Sequence, residues 1–483
     1  MTARSSSPIQ ASSPRDGGHS TRSRTSTACR SSVGRVINDL TAAREQMALS
    51  LSFHIVFAVL GVGMPWLMLF AEWRGLRTGD ARWTALARRW SKAVAVLFAV
   101  GAVSGTVLSV EFGLLWPTFM ARFGSAIGLS FTLESFAFFL EAIFLALYLY
   151  GWNRLSPRAH LLCAVPVALG GMASALFVTT ANAWMNGPVG LVIEEPLAGS
   201  SIDTGPDGQP VATDPLGPFL APTAGPQLAH MALAALLCTG LAVAAVYAVA
   251  MLRDPSKRDG YHRRGMAAGA VLGLAAAPLQ VIVGDWATRV VADVQPAKFA
   301  AMEGVERTVD GAPFHAGPIA IPHGLSLLLR FDPNARVIGM DAIPAPDRPP
   351  AAITHLSFQL MIGIGTALVA LAVLAAWLYL RHRRGSAHPT THTWFLVAMA
   401  VAGPAPFVAL LAGWIVTEVG RQPWIVYRVM RTPQALTAQT GLATYLYVTA
   451  VVYLALAVAL VAILRRIARA PYQHEHEHEK VPA

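Results

Sequence analysis

Long apolar stretches separated by polar connections dominate the pattern of residues along this chain. Each stretch holds about 20 or more mostly apolar residues, the length at which an α-helix crosses the hydrocarbon core of a bilayer. The nine stretches cover residues 47–71, 92–116, 126–150, 160–184, 226–251, 265–286, 353–380, 393–417 and 441–465. We therefore predict an all-α integral membrane protein with about nine transmembrane helices.

The composition agrees with this prediction. Hydrophobic residues make up 54% of the 483 residues and charged residues only 13%, whereas a soluble domain normally carries about 25% charged residues. The net charge of +10 comes from basic connections between the apolar stretches, so we expect no nucleic-acid partner. The three cysteines, Cys29, Cys163 and Cys238, form no paired framework.

Polar segments divide the chain into five regions. The first is rich in Ser, Thr and Arg and has no apolar period, so we predict a disordered or misannotated tail followed by a short surface helix that begins near Val36. The regions are the N-terminal tail and surface helix 1–46, helices 1 to 6 in 47–286, an outer loop in 287–352, helices 7 to 9 in 353–468, and a disordered C-terminal tail in 469–483.

Basic residues are concentrated in the connections that follow odd-numbered helices. The connection after helix 1 carries six Lys and Arg residues, whereas the connection after helix 2 has only Arg122. Because basic connections remain in the cytoplasm, the N-terminus is predicted to lie outside. The Arg-rich N-terminal tail and the basic 287–352 loop argue against this orientation.

Ionisable and soft side chains recur inside the apolar stretches. An isolated charge at mid-membrane costs at least ~2.5–3.5 kcal/mol, so such residues indicate function by default. Counted from the predicted outer ends at ~1.5 Å per residue, they fall in one layer near the outer face. They are His54, Glu111, Glu134, Glu141, His230, Met361 and Glu418. A shared depth predicts a layer of metal or haem sites.

Four of these residues are candidate axial ligands. His230 and Met361 suit the two axial positions of a low-spin haem. His54 suits a five-coordinate haem with one open position, and Glu418 is a hard donor that favours high-spin ferric iron. The alternatives are an interhelix hydrogen bond for His54, a position facing lipid headgroups for His230 and simple packing for Met361.

The segment 413–424 is the most informative part of the sequence. It places a carboxylate, a guanidinium and two indoles near the end of the eighth apolar stretch. Arg421 follows Glu418 by three residues, so an ion pair is the alternative role for Glu418. Arg421 can also bind a haem propionate, and both roles are compatible. A belt of Trp414 and Arg421 at the membrane interface is the structural alternative.

Two further pairs indicate proton chemistry. Glu134 and Glu141 are seven residues apart, so they are predicted to share one helix face. Two carboxylates stacked in this way would form half of a path for protons. Glu111 is similar but lies nearer the surface, and a hydrogen bond within the bundle is the alternative. Lys298 and Glu303 flank a short apolar segment at the membrane surface. They suit a quinone headgroup, which needs a hydrogen-bond donor and a proton acceptor. A solvated loop is the alternative here.

Together these motifs resemble subunit I of the cytochrome bd quinol oxidases, over about residues 36–470. The matching residues are Arg44 with His54, Ala181–Asn186, His230, Gly284 with Asp285, Lys298 with Glu303, Phe358–Met361 and Gly420–Trp424. The last motif, preceded by Glu418, is highly specific. The short loop after helix 6 is similar to the short-loop branch, sometimes called cyanide-insensitive oxidases.

The resemblance implies an enzyme of the bacterial cytoplasmic membrane that oxidises ubiquinol or menaquinol at the outer face. It reduces O2 to water with cytoplasmic protons and so generates proton motive force without pumping. The implied partners are a second multi-helix subunit, subunit II, and small single-helix subunits. The implied cofactors are a low-spin haem b, a second, high-spin haem b, and haem d or a third haem b.

The resemblance also implies roles for individual residues. It assigns His230 and Met361 to the low-spin haem, and His54 and Glu418 to the two high-spin haems without deciding which is which. It further assigns Lys298 and Glu303 to quinol, Glu134 and Glu141 to proton transfer, and Trp414 to a position near the haems. Gln359 stands where some members have Arg, which leaves charge balance near the low-spin haem open.

Two other classes of protein compete with this interpretation. A cofactor-free, proton-coupled transporter would use the intramembrane glutamates, but we see no clear inverted repeat of the kind such transporters carry. A haem-anchoring electron-transfer subunit would need only His230 and Met361 and would leave Glu418 unexplained.

Overall fold

Long helices account for most of this computed structural model, which describes residues 38–192, 211–212, 214–258, 260–317 and 319–470. Within those ranges, nine helical spans are long and apolar enough to cross a membrane. The predicted all-α membrane fold is therefore confirmed. The predicted tail before residue 38, the predicted beginning of the surface helix near Val36 and most of the C-terminal tail lie outside the described residues.

Fourteen α-helices follow one another in the described part of the chain. They are α1 Asp39–Thr78, α2 Ala81–Leu115, α3 Pro117–Gly151, α4 Pro157–Asn186, α5 Gly217–Leu220, α6 Ala224–Arg253, α7 Gly260–Val294, α8 Pro296–Glu303, α9 Gly324–Arg330, α10 Ala351–Arg383, α11 Thr393–Ala402, α12 Ala405–Val419, α13 Thr432–Ala435 and α14 Leu442–Arg469.

Short antiparallel strand pairs lie in the connections. They are β1 Leu191–Val192 with β2 Val211–Ala212, β3 Val309–Asp310 with β6 Arg336–Val337, β4 Phe314–Ala316 with β5 Ile319–Ile321, and β7 Trp424–Val426 with β8 Met430–Arg431. The second and third pairs, together with α9, belong to the segment between α7 and α10. The fourth pair begins at Trp424, the last residue of the 413–424 segment.

Two predicted boundaries differ from the structure. The Asn38 side chain caps α1 by accepting a bond from the Thr41 N–H at 2.7 Å, and the helix then runs unbroken to Thr78. The predicted short surface helix is thus the first part of α1, because no breaker separates it from the apolar stretch. At the other end, α7 continues to Val294, so the segment that was predicted to be an outer loop begins later than residue 287.

The eighth span is broken into α11 and α12 around Gly403 and Pro404. Proline has no N–H to continue the helical bonds. A Cβ on Gly403 would lie 2.4 Å from the Cβ of Ala245 on α6, so the break occurs where α6 approaches closely. The sequence predicted one helix here, because apolar periodicity does not report a bend.

The largest hydrophobic cluster fills the half of the bundle that lies away from the candidate ligands. Its largest fully buried members include Met68, Leu86, Leu241 and Met399. The α6 and α7 helices pack through small residues, since a Cβ on Gly240 would lie only 2.3 Å from the backbone nitrogen of Gly273. This tightly packed half leaves the space for a site at the other end of α1 to α4.

Candidate functional site

A cavity of about 970 Å³ lies among α1, α2, α3, α4 and α12. Its volume is at the upper end of the ~300–1,000 Å³ that ligand and cofactor pockets occupy. Six predicted site residues line it: His54, Glu134, Glu141, Trp414, Glu418 and Arg421. Arg44, which entered only through the resemblance, lines it too. The structure therefore brings together residues from three parts of the sequence.

His54 lies on α1 with its imidazole against α2. Its Nδ1 is 3.0 Å from Oγ of Ser104, and that hydroxyl donates to the backbone oxygen of Val100 at 2.9 Å. Because the hydroxyl has only one proton, Ser104 accepts from Nδ1–H of His54, which leaves a lone pair on Nε2. The predicted interhelix hydrogen bond is present, and it orients the ring in the way that ligand histidines require.

Glu418 lies one residue before the end of α12 and accepts two short hydrogen bonds. Asn182 Nδ2 donates to its Oε1 and an Arg421 terminal nitrogen donates to its Oε2, each at 2.6 Å. The predicted ion pair with Arg421 is confirmed, although α12 ends before Arg421. Trp414, one turn earlier, packs beside the buried Ile55 and Cys238.

Arg421 is only 3% exposed, yet its pairing is incomplete. Its Nε and one terminal nitrogen are buried without a hydrogen-bond partner among the described residues. A buried guanidinium normally uses all of its donors, because an unpaired donor away from water is costly. The site therefore has room for a further acceptor, and an anionic oxygen next to the cavity suits it.

Glu134 and Glu141 line the same cavity from one face of α3, as their spacing predicted. The Ser174 hydroxyl on α4 donates to Glu134 at 3.3 Å. A Cβ on Gly171 of α4 would lie 3.1 Å from each carboxylate oxygen of Glu141, so the absence of a side chain there makes space for this group. The two carboxylates thus form a row along the α3–α4 contact.

Glu111 does not line the cavity. It is buried between α1 and α2, where Gln46 donates at 3.1 Å and Ser50 at 2.8 Å to the same carboxylate oxygen. Gln46 also donates to Thr449 on α14 at 3.4 Å. Of the two roles that the sequence left open for Glu111, the hydrogen bond within the bundle is therefore present.

His230 and Met361 lie on α6 and α10, away from the large cavity. Nδ1 of His230 is buried without a partner among the described residues, and a Cβ on Gly284 of α7 would lie 3.3 Å from its Cε1. A Cβ on Gly413 of α12 would lie 3.0 Å from the Met361 sulfur. His230 thus faces α7 instead of lipid headgroups, and both candidate ligands lie against a helical glycine that leaves room beside them.

Lys298 and Glu303 lie on α8, whose residues from Ala297 onwards are all buried. The alternative of a solvated loop is therefore wrong. Burial lowers the pKa of the Lys298 ammonium well below its ordinary value; the Arg421 charge lowers this pKa further and the Glu418 charge raises it. Burial also raises the pKa of the Glu303 carboxyl to about 7.

Glu303 has a neighbour on α10 that the sequence did not single out. Nδ1 of His355 is 2.8 Å from the backbone oxygen of Met302, and a Cβ on Gly304 would lie 3.1 Å from the same ring. The backbone oxygen can only accept, so Nδ1 donates and the second ring nitrogen carries a lone pair when the ring is neutral.

Two asparagines on α4 were also missed as functional residues. Asn182 bonds Glu418, and the Lys298 ammonium donates to Asn186 Oδ1 at 2.6 Å. They are four residues apart inside an otherwise apolar stretch, so they share a helix face. That spacing was visible in the sequence, but their partners are distant along the chain.

The comparison with known proteins decides the family. A family model described as "Cytochrome bd terminal oxidase subunit I" matches residues 42–472. This chain belongs to the cytochrome bd terminal oxidase subunit I family. Membership of this cytochrome family implies haem cofactors and a second subunit, and the predicted resemblance is confirmed.

Individual members of the cytochrome bd family align over most of the chain. The putative cytochrome bd menaquinol oxidase subunit I of Bacillus subtilis (strain 168) is 32% identical over 89% of this chain and 96% of its own length. The cytochrome bd ubiquinol oxidase subunit 1 of the same organism is 28% identical over 92% and 96%. The structure of bd oxidase from Geobacillus thermodenitrificans matches with a TM-score of 0.80 and 32% identity, over 90% of this chain and 99% of that one.

The residues present in this oxidase subunit fit haem. Imidazole and thioether groups are known ligands of haem iron, and a carboxylate is a hard donor to ferric iron. His54 and Glu418 both line the large cavity, and Arg421 has two buried nitrogens beside it that find no partner in the described part of the chain. His230 and Met361 lie on a different set of helices, so the chain offers two separate places for iron ligands.

Proposed function

We propose that this chain is the haem-bearing catalytic subunit of a quinol:dioxygen oxidoreductase. The observation that carries the proposal is the cavity that contains His54, Glu418 and Arg421, since the last of these has unpaired buried donors. The names of the relatives, which are menaquinol and ubiquinol oxidase subunits, support quinol as the electron donor.

Each candidate ligand has a proposed place. His230 and Met361 would hold a low-spin haem b, while His54 and Glu418 would hold the two high-spin haems, a haem b and either haem d or a third haem b. When bound, these groups supply electron transfer and the reduction of O2. The Ser104 bond to Nδ1 of His54 leaves Nε2 available for iron, and the free nitrogens of Arg421 suit a propionate.

The glutamate row on α3 is proposed to carry protons. Glu134 and Glu141 line the cavity at successive depths, so a proton held on one can pass to the other through water between them. We propose that these protons come from the cytoplasmic side. Glu111 lies outside the row, and its bonds to Gln46 and Ser50 favour a role in joining α1 to α2.

Quinol is proposed to bind at Lys298 and Glu303, with the N-terminus and α8 on the outer side of the cytoplasmic membrane. A quinol that loses its electrons also loses two protons, and a carboxylate near neutral pKa is a suitable acceptor. Release of quinol protons outside and uptake of protons from inside generates proton motive force without a pump. Subunit II and small single-helix subunits are the proposed partners.

A reduced-minus-oxidised visible spectrum of the purified complex tests the proposed function. We expect a low-spin band and additional high-spin features that shift when carbon monoxide is added. A preparation without haem would favour the cofactor-free transporter, and a single low-spin band would favour the electron-transfer anchor.

Variants of two carboxylates sharpen this spectral test. Glu418→Ala is expected to lose a high-spin haem and quinol oxidation together, because the proposed iron ligand is gone. Glu306→Ala is the matched control, since Glu306 is an exposed carboxylate in the segment after α8, and it is expected to keep the full spectrum. Normal oxygen uptake by Glu418→Ala contradicts the ligand role.

A further inference from the structure

A continuous chain of hydrogen bonds connects Lys298 with Glu418. The Lys298 ammonium donates to Oδ1 of Asn186 at 2.6 Å, and Nδ2 of Asn186 donates to Oδ1 of Asn182 at 2.9 Å. Nδ2 of Asn182 then donates to Oε1 of Glu418 at 2.6 Å. The residue proposed for quinol and the residue proposed for iron are therefore the two ends of one polar chain.

The direction of this chain is fixed by groups that can only accept. The backbone oxygen of Asn182 accepts from the amide nitrogen of Asn186 at 2.9 Å, so Asn186 presents its oxygen to Lys298. An ionised carboxylate only accepts, so Asn182 must present its nitrogen to Glu418. The central bond between the two amides then has the one orientation that the structure contains, and flipping either amide would break a bond at each side of it.

Further contacts hold Asn186 in place at the end of α4. Asn186 is 1% exposed, and its amide nitrogen also donates to the backbone oxygen of Asn182 at 2.9 Å. Gly420 allows the close approach of Lys298, because a Cβ there would lie 3.0 Å from Cγ of the lysine. The end of α4 is thus built around these contacts.

We propose that Asn182 and Asn186 are positioning residues that hold Lys298 and Glu418 in one rigid unit across the end of α4. This inference rests on the proposed function of those two end residues. It predicts that removal of the Asn186 side chain changes both quinol binding at Lys298 and the haem spectrum at Glu418. Removal of the Asn182 side chain is predicted to change only the haem spectrum.

The test compares three variants of the complete complex. Asn186→Leu removes the Lys298 contact and the central bond. We expect quinol KM to rise about tenfold, the size expected for losing a hydrogen bond to a charged group, and the high-spin haem spectrum and midpoint potential to shift. Asn182→Leu removes the Glu418 contact and the central bond but keeps the contact between Lys298 and Asn186. The spectrum and potential should therefore shift while KM stays within about twofold of wild type.

Asn186→Asp provides a second, conservative variant. Its carboxylate still accepts from Lys298 but no longer donates to Asn182, so we expect quinol KM close to wild type and a shifted high-spin haem. The matched control is Gln295→Met. Gln295 is buried and donates to the backbone oxygen of Asn186 at 2.7 Å, but it is not part of the chain.

The inference is overturned if Asn182→Leu and Asn186→Leu have the KM, spectrum and potential of Gln295→Met. It is also overturned if Asn186→Asp raises KM as much as Asn186→Leu does. Failure of the proposed function looks different, because the wild-type complex would then lack haem or would not oxidise quinol at all. A wild type that is active, with variants that follow the control, removes only the positioning role.

Discussion

At the scale of single residues, the buried ionisable groups of this chain differ in whether their unpaired atoms adjoin a cavity. The buried Glu72 and His160 bond each other at 2.6 Å, and His160 also contacts the Tyr148 backbone oxygen. Among the described residues, Glu72 keeps one carboxylate oxygen and the equally buried Arg421 keeps two nitrogens without hydrogen-bond partners. Only Arg421 lines the large cavity. We infer that an unpaired donor beside a cavity, and not charge or incomplete pairing alone, identifies the site.

The pH dependence of quinol oxidation tests Glu303. Its pKa of about 7 means that the carboxyl is protonated below pH 7 and cannot accept a quinol proton there. We expect kcat/KM for quinol to rise with pH up to about 7 and then level off. Glu303→Gln should be slow and lack this acid limb, whereas Glu306→Gln, an exposed control, should retain it. An acid limb that persists in Glu303→Gln contradicts the assignment.

The Met361 sulfur has its own test. Thioether ligation raises the potential of a haem, so Met361→Leu is expected to lower the midpoint potential of the low-spin haem or convert it to high spin. Met399→Leu is the control, because Met399 is a fully buried core residue that experiences the same change of side chain. A redox titration with an unchanged low-spin component in Met361→Leu would rule out the ligand role.

At the scale of elements, small residues determine how closely the helices approach. A Cβ on Gly240 of α6 would lie 2.6 Å from both the Gly269 oxygen and the Gly273 Cα on α7. These neighbours are backbone atoms, so no side-chain rotation can relieve the clash. Because His230 lies on α6 and Gly284 on α7, the same helix pair also holds a candidate ligand.

Gly240→Ala is therefore expected to destabilise the protein. Forcing an extra methyl group into such a contact typically costs ~1–3 kcal/mol, which should appear as a lower thermal unfolding temperature in detergent. Gly363→Ala on α10 is the matched control, since nothing lies within 4 Å of a Cβ at that position. It should keep or raise the unfolding temperature, as alanine favours a helix interior. Equal temperatures for both variants would contradict the role of this contact.

At the scale of the whole molecule, the sequence predicts the spans well and the site in part. Hydrophobic length alone identifies nine spans, because each must cover the same bilayer core. The seven-residue spacing also predicts that Glu134 and Glu141 share one face, since both residues lie within one helix. The break at Gly403 and the burial of α8 could not be predicted from apolar periodicity. Likewise, the bonds of Asn182 and Asn186 depend on residues more than 100 positions away.

The position of the cavity in the bundle leads to a prediction about subunit II. The cavity is lined in part by Val110, Phe139 and Val178, which are 53%, 65% and 40% exposed. The part of the cavity wall that these three side chains form is therefore incomplete in the chain alone. By contrast, Nδ1 of His230 is fully buried.

We therefore expect the chain produced without subunit II to keep its low-spin haem and to lose most of the high-spin haem. The complete complex purified in the same detergent is the control, and haem-to-protein ratios with difference spectra provide the measurement. If the isolated chain retained the full haem content, its own helices would be sufficient to enclose the cavity. The partner would then be needed for something other than completing the haem site.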